Sequence, residues 1–61
     1  MIRAVIIEDE PQSRELLAAL VAKNCAGVTV VETAINVETG VEAIKKYQPD
    51  LIFLDISMPD G

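Results

Sequence analysis

A chain of 61 residues with a formal net charge of −5 and a single cysteine has room for one small domain and few chemistries. The acidic balance repels nucleic-acid phosphate and anionic membrane surfaces. No histidine and no second thiol accompany Cys25 to build a zinc site, and one Phe and one Tyr supply no series of platforms for stacked bases.

At 51% hydrophobic the composition is that of a folded protein, and with so few aromatics the core falls to Val, Ile, Leu and Ala. A domain this short buries only ~60% of the surface its unfolded chain exposes, so its stability is marginal.

Ile2 to Ile7 is a nearly continuous apolar, β-branched run, the pattern of a strand covered on both faces. Pro11 to about Asn24 reads as a helix. Pro11 suits its first turn, Asp9 or Glu10 its cap, and Leu16, Leu17, Leu20 and Val21 its apolar face. Gly27 is the expected stop.

Val28 to Thr33 is a second strand, whose Thr and Glu content predicts an edge position. Asn36 is the expected N-cap of a second helix running to Tyr47, with Val37, Val41 and Ile44 as its apolar stripe. Gly40 weakens that helix by roughly 1 kcal/mol relative to Ala, so something beyond propensity must hold it. Gln48-Pro49-Asp50 ends it. Leu51 to Leu54 is the most apolar run and reads as a central strand closing at Asp55.

The apolar stretch near the N-terminus stops at Glu8, Asp9 and Glu10, unlike a signal peptide. No run approaches the ~20 apolar residues that cross a bilayer. With one free thiol, the expected location is the cytoplasm, away from membranes.

The order strand, helix, strand, helix, strand implies a parallel sheet joined by right-handed crossovers. Residues just past the strand ends then gather at one edge. If strand 1 lies between the others, in order 2-1-3, Glu8 and Asp9 share a cleft with Asp55 at the point where the connections reverse.

Clustered carboxylates repel one another unless a cation joins them. A hard ion such as Mg2+ takes one or two carboxylates, waters and a phosphate oxygen. Asp55, alone at the end of an apolar strand, suits a nucleophile toward phosphorus, and Glu8 and Asp9 suit metal binding. Taken separately, Glu8-Asp9-Glu10 is also what a solvated loop and helix cap contain, and Asp55 alone fits a cap equally well.

Two stretches carry a family likeness. Val5-Ile6-Ile7-Glu8-Asp9-Glu10-Pro11, followed by Pro49-Asp50-Leu51-Ile52-Phe53-Leu54-Asp55-Ile56-Ser57-Met58-Pro59-Asp60-Gly61, resembles the receiver domains of two-component response regulators. The resemblance implies a flavodoxin-like α/β fold, here a truncated (βα)2β half-domain with a parallel three-stranded sheet and two helices. It implies phosphorylation of Asp55 by the phosphohistidine of a sensor histidine kinase.

It also implies Mg2+ held by Glu8, Asp9, Asp55 and the backbone carbonyl of Ser57, with Met58-Pro59 shaping the loop beyond. The protein is then a signalling module rather than an enzyme.

A complete receiver domain has five strands and five helices. Residues 1–61 match three strands and two helices, without the family's Ser or Thr after strand 4, its Lys after strand 5, or an output domain, often DNA-binding. The expectation is therefore a partial receiver domain with weak chemistry or none of its own, and no direct contact with nucleic acid. Its open strand edge at residues 51–56 is expected to make it a homo-oligomer.

Two other readings stand beside this one. One is a self-associating structural half-domain without chemistry. The other is an Asp-nucleophile phosphatase of the haloacid-dehalogenase type, which expects a second Asp where Ser57 stands and leaves Glu8-Asp9 unexplained. A P-loop is excluded, because no Gly-rich loop followed by Lys-Ser/Thr exists.

Overall fold

The computed structural model describes residues 1–55, with the backbone alone at Asp55. Five elements follow in chain order: β1 (Ile2–Glu8), α1 (Pro11–Asn24), β2 (Val28–Ala34), α2 (Val37–Tyr47) and β3 (Leu51–Asp55). The sheet is parallel in both pairings and ordered β2-β1-β3. This is the parallel α/β arrangement that the alternation of elements predicts, in the 2-1-3 order, and it agrees with the flavodoxin-like half-domain that the family resemblance implies.

β1 is central because its side chains can be buried on both faces. Ala4, Val5 and Ile6 are fully buried and Ile7 nearly so. Each such Val or Ile removed from water stabilises the fold by about 1.5–3 kcal/mol. Val5 and Ile7 pack with Ala34 of β2 and Ala43 of α2, and Val31, Ile44 and Tyr47 close around them.

Val31 enters this cluster at a register shift, where Ala4 faces Val30 but Val5 faces Glu32. The alternation of a strand gives Ala4, Ile6 and Glu8 to the opposite face. α1 contacts both β1 and β2, and a right-handed crossover between those strands assigns it to this opposite face.

The apolar faces of the helices differ from those expected. In α1 Val21 is buried and Arg14, Leu17 and Ala18 are half-buried, whereas Leu16 and Leu20 are 61% and 46% exposed. The contact face is thus the 14–17–18–21 set.

In α2 the buried residues are Gly40 and Ala43, with Ile44 and Tyr47 half-buried, while Val37 and Val41 are exposed. Small residues let the helix lie close to β1. A Cβ on Gly40 would lie 2.8 Å from Ile7 Cγ1 and closer still to its Cδ1. That close approach is why a helix-weakening residue stands there.

The helix ends are set locally. Asn36 caps α2 as expected, its Oδ1 accepting from Thr39 N at 2.8 Å while Thr39 Oγ1 accepts from Asn36 N at 3.2 Å. Gln48 ends α2 in the left-handed conformation, its N–H donating to Ile44 O.

Glu10 occupies the N-cap position of α1, but its carboxylate accepts from Ser13 Oγ and not from a backbone N–H. α1 closes at Cys25, whose N–H donates to Val21 O, so Gly27 is not the stop. Gly27 instead accepts from Ile2 N, tying the turn before β2 to the start of β1.

β3 is an outer strand in the described sheet, the place that the expected order 2-1-3 gives it, and among the described elements it touches β1 alone. Leu51, Ile52 and Leu54 remain 37%, 43% and 65% exposed. Asp50 fastens its entry. Asp50 N donates to Arg3 O at 2.8 Å, and Asp50 Oδ2 accepts from Arg3 N at 3.1 Å.

Candidate functional site

Parallel strands of matched register end at the same level, and here β1 and β3 end on acids. Glu8 and Asp55 are register partners, the last pair of a ladder running from Ala4↔Leu51. Asp9 and Glu10 follow at once in the turn into α1, both exposed. The chain therefore brings Glu8, Asp9 and the backbone of Asp55 to one edge of the sheet, beside the reversal of connections. The Asp55 side chain and Ser57 lie outside the described residues.

Glu8 is an unusual strand terminus, a carboxylate residue only 3% exposed. Burial of a carboxylate demands hydrogen-bond partners. Its Oε1 accepts from Glu10 N at 3.0 Å, which also satisfies a donor ahead of the first helical turn. Its backbone carbonyl accepts from Arg14 Nη1 at 3.2 Å.

Arg14 stands four positions into α1, with no acid in the first turn. Its own N–H donates to Glu10 O. The corner between β1 and α1 is thus held from three sides, by the ladder to β3, by Glu10 N–H and by a guanidinium.

Oxygen donors of this kind suit a hard divalent cation. Glu8 and Asp9 offer carboxylates, and the residues present fit Mg2+ by the chemistry of their donors. Among the described residues no three His, Cys, Asp or Glu side chains form a ready-made metal cluster. Elsewhere, a cleft of about 240 Å³ lies between β2 and α2, lined by Glu32, Thr39, Glu42, Ala43, Lys46 and Tyr47. The Lys46 amine sits over the Tyr47 ring there, 5.3 Å from its centroid.

Reasoning from sequence placed Glu8, Asp9 and Asp55 at this edge but passed over Arg14. The signal was a lone cation in the first turn of a helix, where the macrodipole disfavours positive charge.

The family described as the response regulator receiver domain matches residues 4–61. The chain belongs to the response-regulator receiver-domain family, whose members are signalling modules of two-component systems. It is 42% identical over 59 residues to protein-glutamate methylesterase/protein-glutamine glutaminase 1 of Oleidesulfovibrio alaskensis, covering 97% of this chain and 16% of that protein. It is 40% identical over 58 residues to the corresponding protein of Natronomonas pharaonis, covering 95% and 16%.

It is 37% identical over 59 residues to the transcriptional regulatory protein BtsR of Escherichia coli strain K12, covering 97% and 24%. The chain spans a quarter or less of the length of these relatives. Among the described residues no helix is long and apolar enough to cross a membrane.

Proposed function

We propose that this chain carries the phosphoacceptor of a two-component phosphorelay, with Asp55 receiving a phosphoryl group from the phosphohistidine of a sensor histidine kinase. The observation that supports it best is the register pairing of Glu8 with Asp55 at the ends of adjacent parallel strands. Family membership points the same way.

In this reading a carboxylate oxygen of Asp55 attacks phosphorus in line, the P–N bond to the kinase histidine breaks, and an acyl phosphate forms on Asp55. Glu8, Asp9, Asp55 and the Ser57 backbone carbonyl would hold Mg2+, which would offset charge on the transferred group. The Glu8 carboxylate, fixed by Glu10 N–H, gives the acids a set direction before the donor arrives. The chain is then a substrate of phosphoryl transfer rather than an enzyme in its own right, and its place is the cytoplasm, where the kinase phosphohistidine is met.

Residues 1–61 are read as a partial receiver domain. β3, which among the described elements is covered by β1 alone, is the surface on which further strands would be laid. An output domain, DNA-binding in a transcription regulator, would belong to the parent protein, and this acidic segment would not touch nucleic acid itself.

The exposed β3 favours a second reading, in which the chain on its own self-associates along residues 51–56 as a homo-oligomer with weak chemistry or none.

Incubation with Mg2+ and acetyl phosphate, followed by intact mass and peptide mapping, decides between them. An adduct on Asp55 that vanishes in Asp55→Asn supports the phosphoacceptor. A folded, unmodified chain that sediments as an oligomer supports the second reading.

A further inference from the structure

We infer that Arg14 is a positioning residue for the acids at the end of β1, a role that rests on the phosphoacceptor reading only in its consequence for metal binding. The guanidinium reaches back six residues to the carbonyl of Glu8. That carbonyl belongs to the peptide joining Glu8 to Asp9, so the bond fixes the plane from which the Asp9 side chain departs.

The same corner carries the Glu8 carboxylate, which is bonded to Glu10 N–H and is almost wholly withdrawn from solvent. The guanidinium thus restrains the Glu8–Asp9 peptide, while Glu10 N–H restrains the Glu8 carboxylate on the same turn.

Helix stability does not account for an arginine at this place. A cation in the first turn opposes the macrodipole, and no acid in that turn offsets it. A half-buried guanidinium also loses hydration. Its carbonyl partner lies outside the helix, on the turn that bears the acids. A guanidinium is the group suited to this work, since it is always charged, planar and reaches a fixed oxygen with its donors pre-arranged.

Arg14 is also a fixed positive charge close to the acids. A positive charge on the turn that bears the acids opposes their mutual repulsion.

The test uses the whole chain, 15N-labelled, as wild type, Arg14→Gln and Arg14→Lys. Without metal, amide hydrogen exchange is read at Glu10 and, for global stability, at Ile6. Loss of a charge-assisted hydrogen bond at a partly exposed site raises Glu10 exchange about tenfold in Arg14→Gln. Ile6 exchange stays at its wild-type rate, and Arg14→Lys recovers most of the protection. Glu10 exchange that does not change, or that rises only in step with Ile6, overturns the inference.

Mg2+ alone is then titrated, following the Asp9 and Glu10 resonances. Half-saturation shifts several-fold upward in Arg14→Gln and returns toward wild type in Arg14→Lys. A wild-type chain that does not respond to Mg2+ counts against the phosphoacceptor reading, while the metal-free exchange still decides the role of Arg14.

Discussion

Gly40 of α2 lies directly against Ile7 of β1, so close that a Cβ on Gly40 would overlap the Ile7 side chain. Ile7 is itself 4% exposed and shares a cluster with Val5, Ala34 and Ala43, which leaves it little room to yield. Gly40→Ala therefore sets two effects against each other. Replacing glycine inside a helix gains about 1 kcal/mol, while overpacking a filled core costs about 1–3 kcal/mol.

The core term wins, and Gly40→Ala destabilises by about 1 kcal/mol in urea unfolding. The companion Ile7→Val, which frees a methyl's worth of space, makes the same glycine substitution milder. A Gly40→Ala chain as stable as wild type would falsify the close approach of α2 to β1.

The face that α1 turns to the sheet separates two sets of residues alike in composition. Val21 is buried, whereas Leu16 is more than half exposed. Val21→Ala is expected to cost about 2 kcal/mol, through lost burial and the space left behind. Leu16→Ala, although it deletes a larger side chain, stays within about 0.5 kcal/mol. Urea titrations of both variants at one protein concentration check this. The reverse ranking would mean that α1 is rotated from the orientation described.

These helix faces mark where the sequence stopped being readable. Pro11, Asn36 and the Gln48-Pro49 break are local signals, so the element boundaries could be read within a residue or two. The meeting of Glu8 and Asp55 was readable as well, because strand ends in a parallel sheet must share an edge.

Helix orientation was not. Leu16, Leu17, Leu20 and Val21 wrap too much of α1 for periodicity to choose a side, and the sheet decided for Leu17 and Val21. In α2 the sequence pointed to the large residues Val37 and Val41, yet the contact is made by small ones, because only Gly40 and Ala43 admit the backbone to β1. Arg14 was hidden for the same reason, since its partner is a backbone carbonyl and a carbonyl leaves no mark in the sequence.

The start of α2 depends on a reciprocal pair. Asn36 Oδ1 accepts from Thr39 N, and Thr39 Oγ1 accepts from Asn36 N and from Ile35 N. Removing the cap in Asn36→Ala leaves first-turn donors to solvent and costs about 1 kcal/mol. Asn36→Asp keeps an acceptor, adds a favourable charge at the helix N-terminus and stays close to wild type. Thermal unfolding followed by circular dichroism distinguishes them. Equal losses in both variants would show that the cap contributes through shape rather than through its hydrogen bonds.

The outer strand β3 has an apolar surface that no described element covers. Leu54 is 65% and Ile52 43% exposed, and both lie on the side chain level with Val5 and Ile7. An open strand edge offers unpaired backbone groups to another chain, and a lysine placed on such a strand discourages the pairing.

Leu54→Lys removes little packing, because among the described elements β3 touches β1 alone. Its effect on the stability of the single chain stays within about 0.5 kcal/mol. Its effect on association is expected to be large, with concentration-dependent sedimentation of the wild-type chain giving way to a single slow species. Lysine at Leu16, on the outward side of α1, is the control and leaves association unchanged. If Leu54→Lys still associates as wild type does and Leu16→Lys does not, the contact between copies runs over α1 instead of along β3.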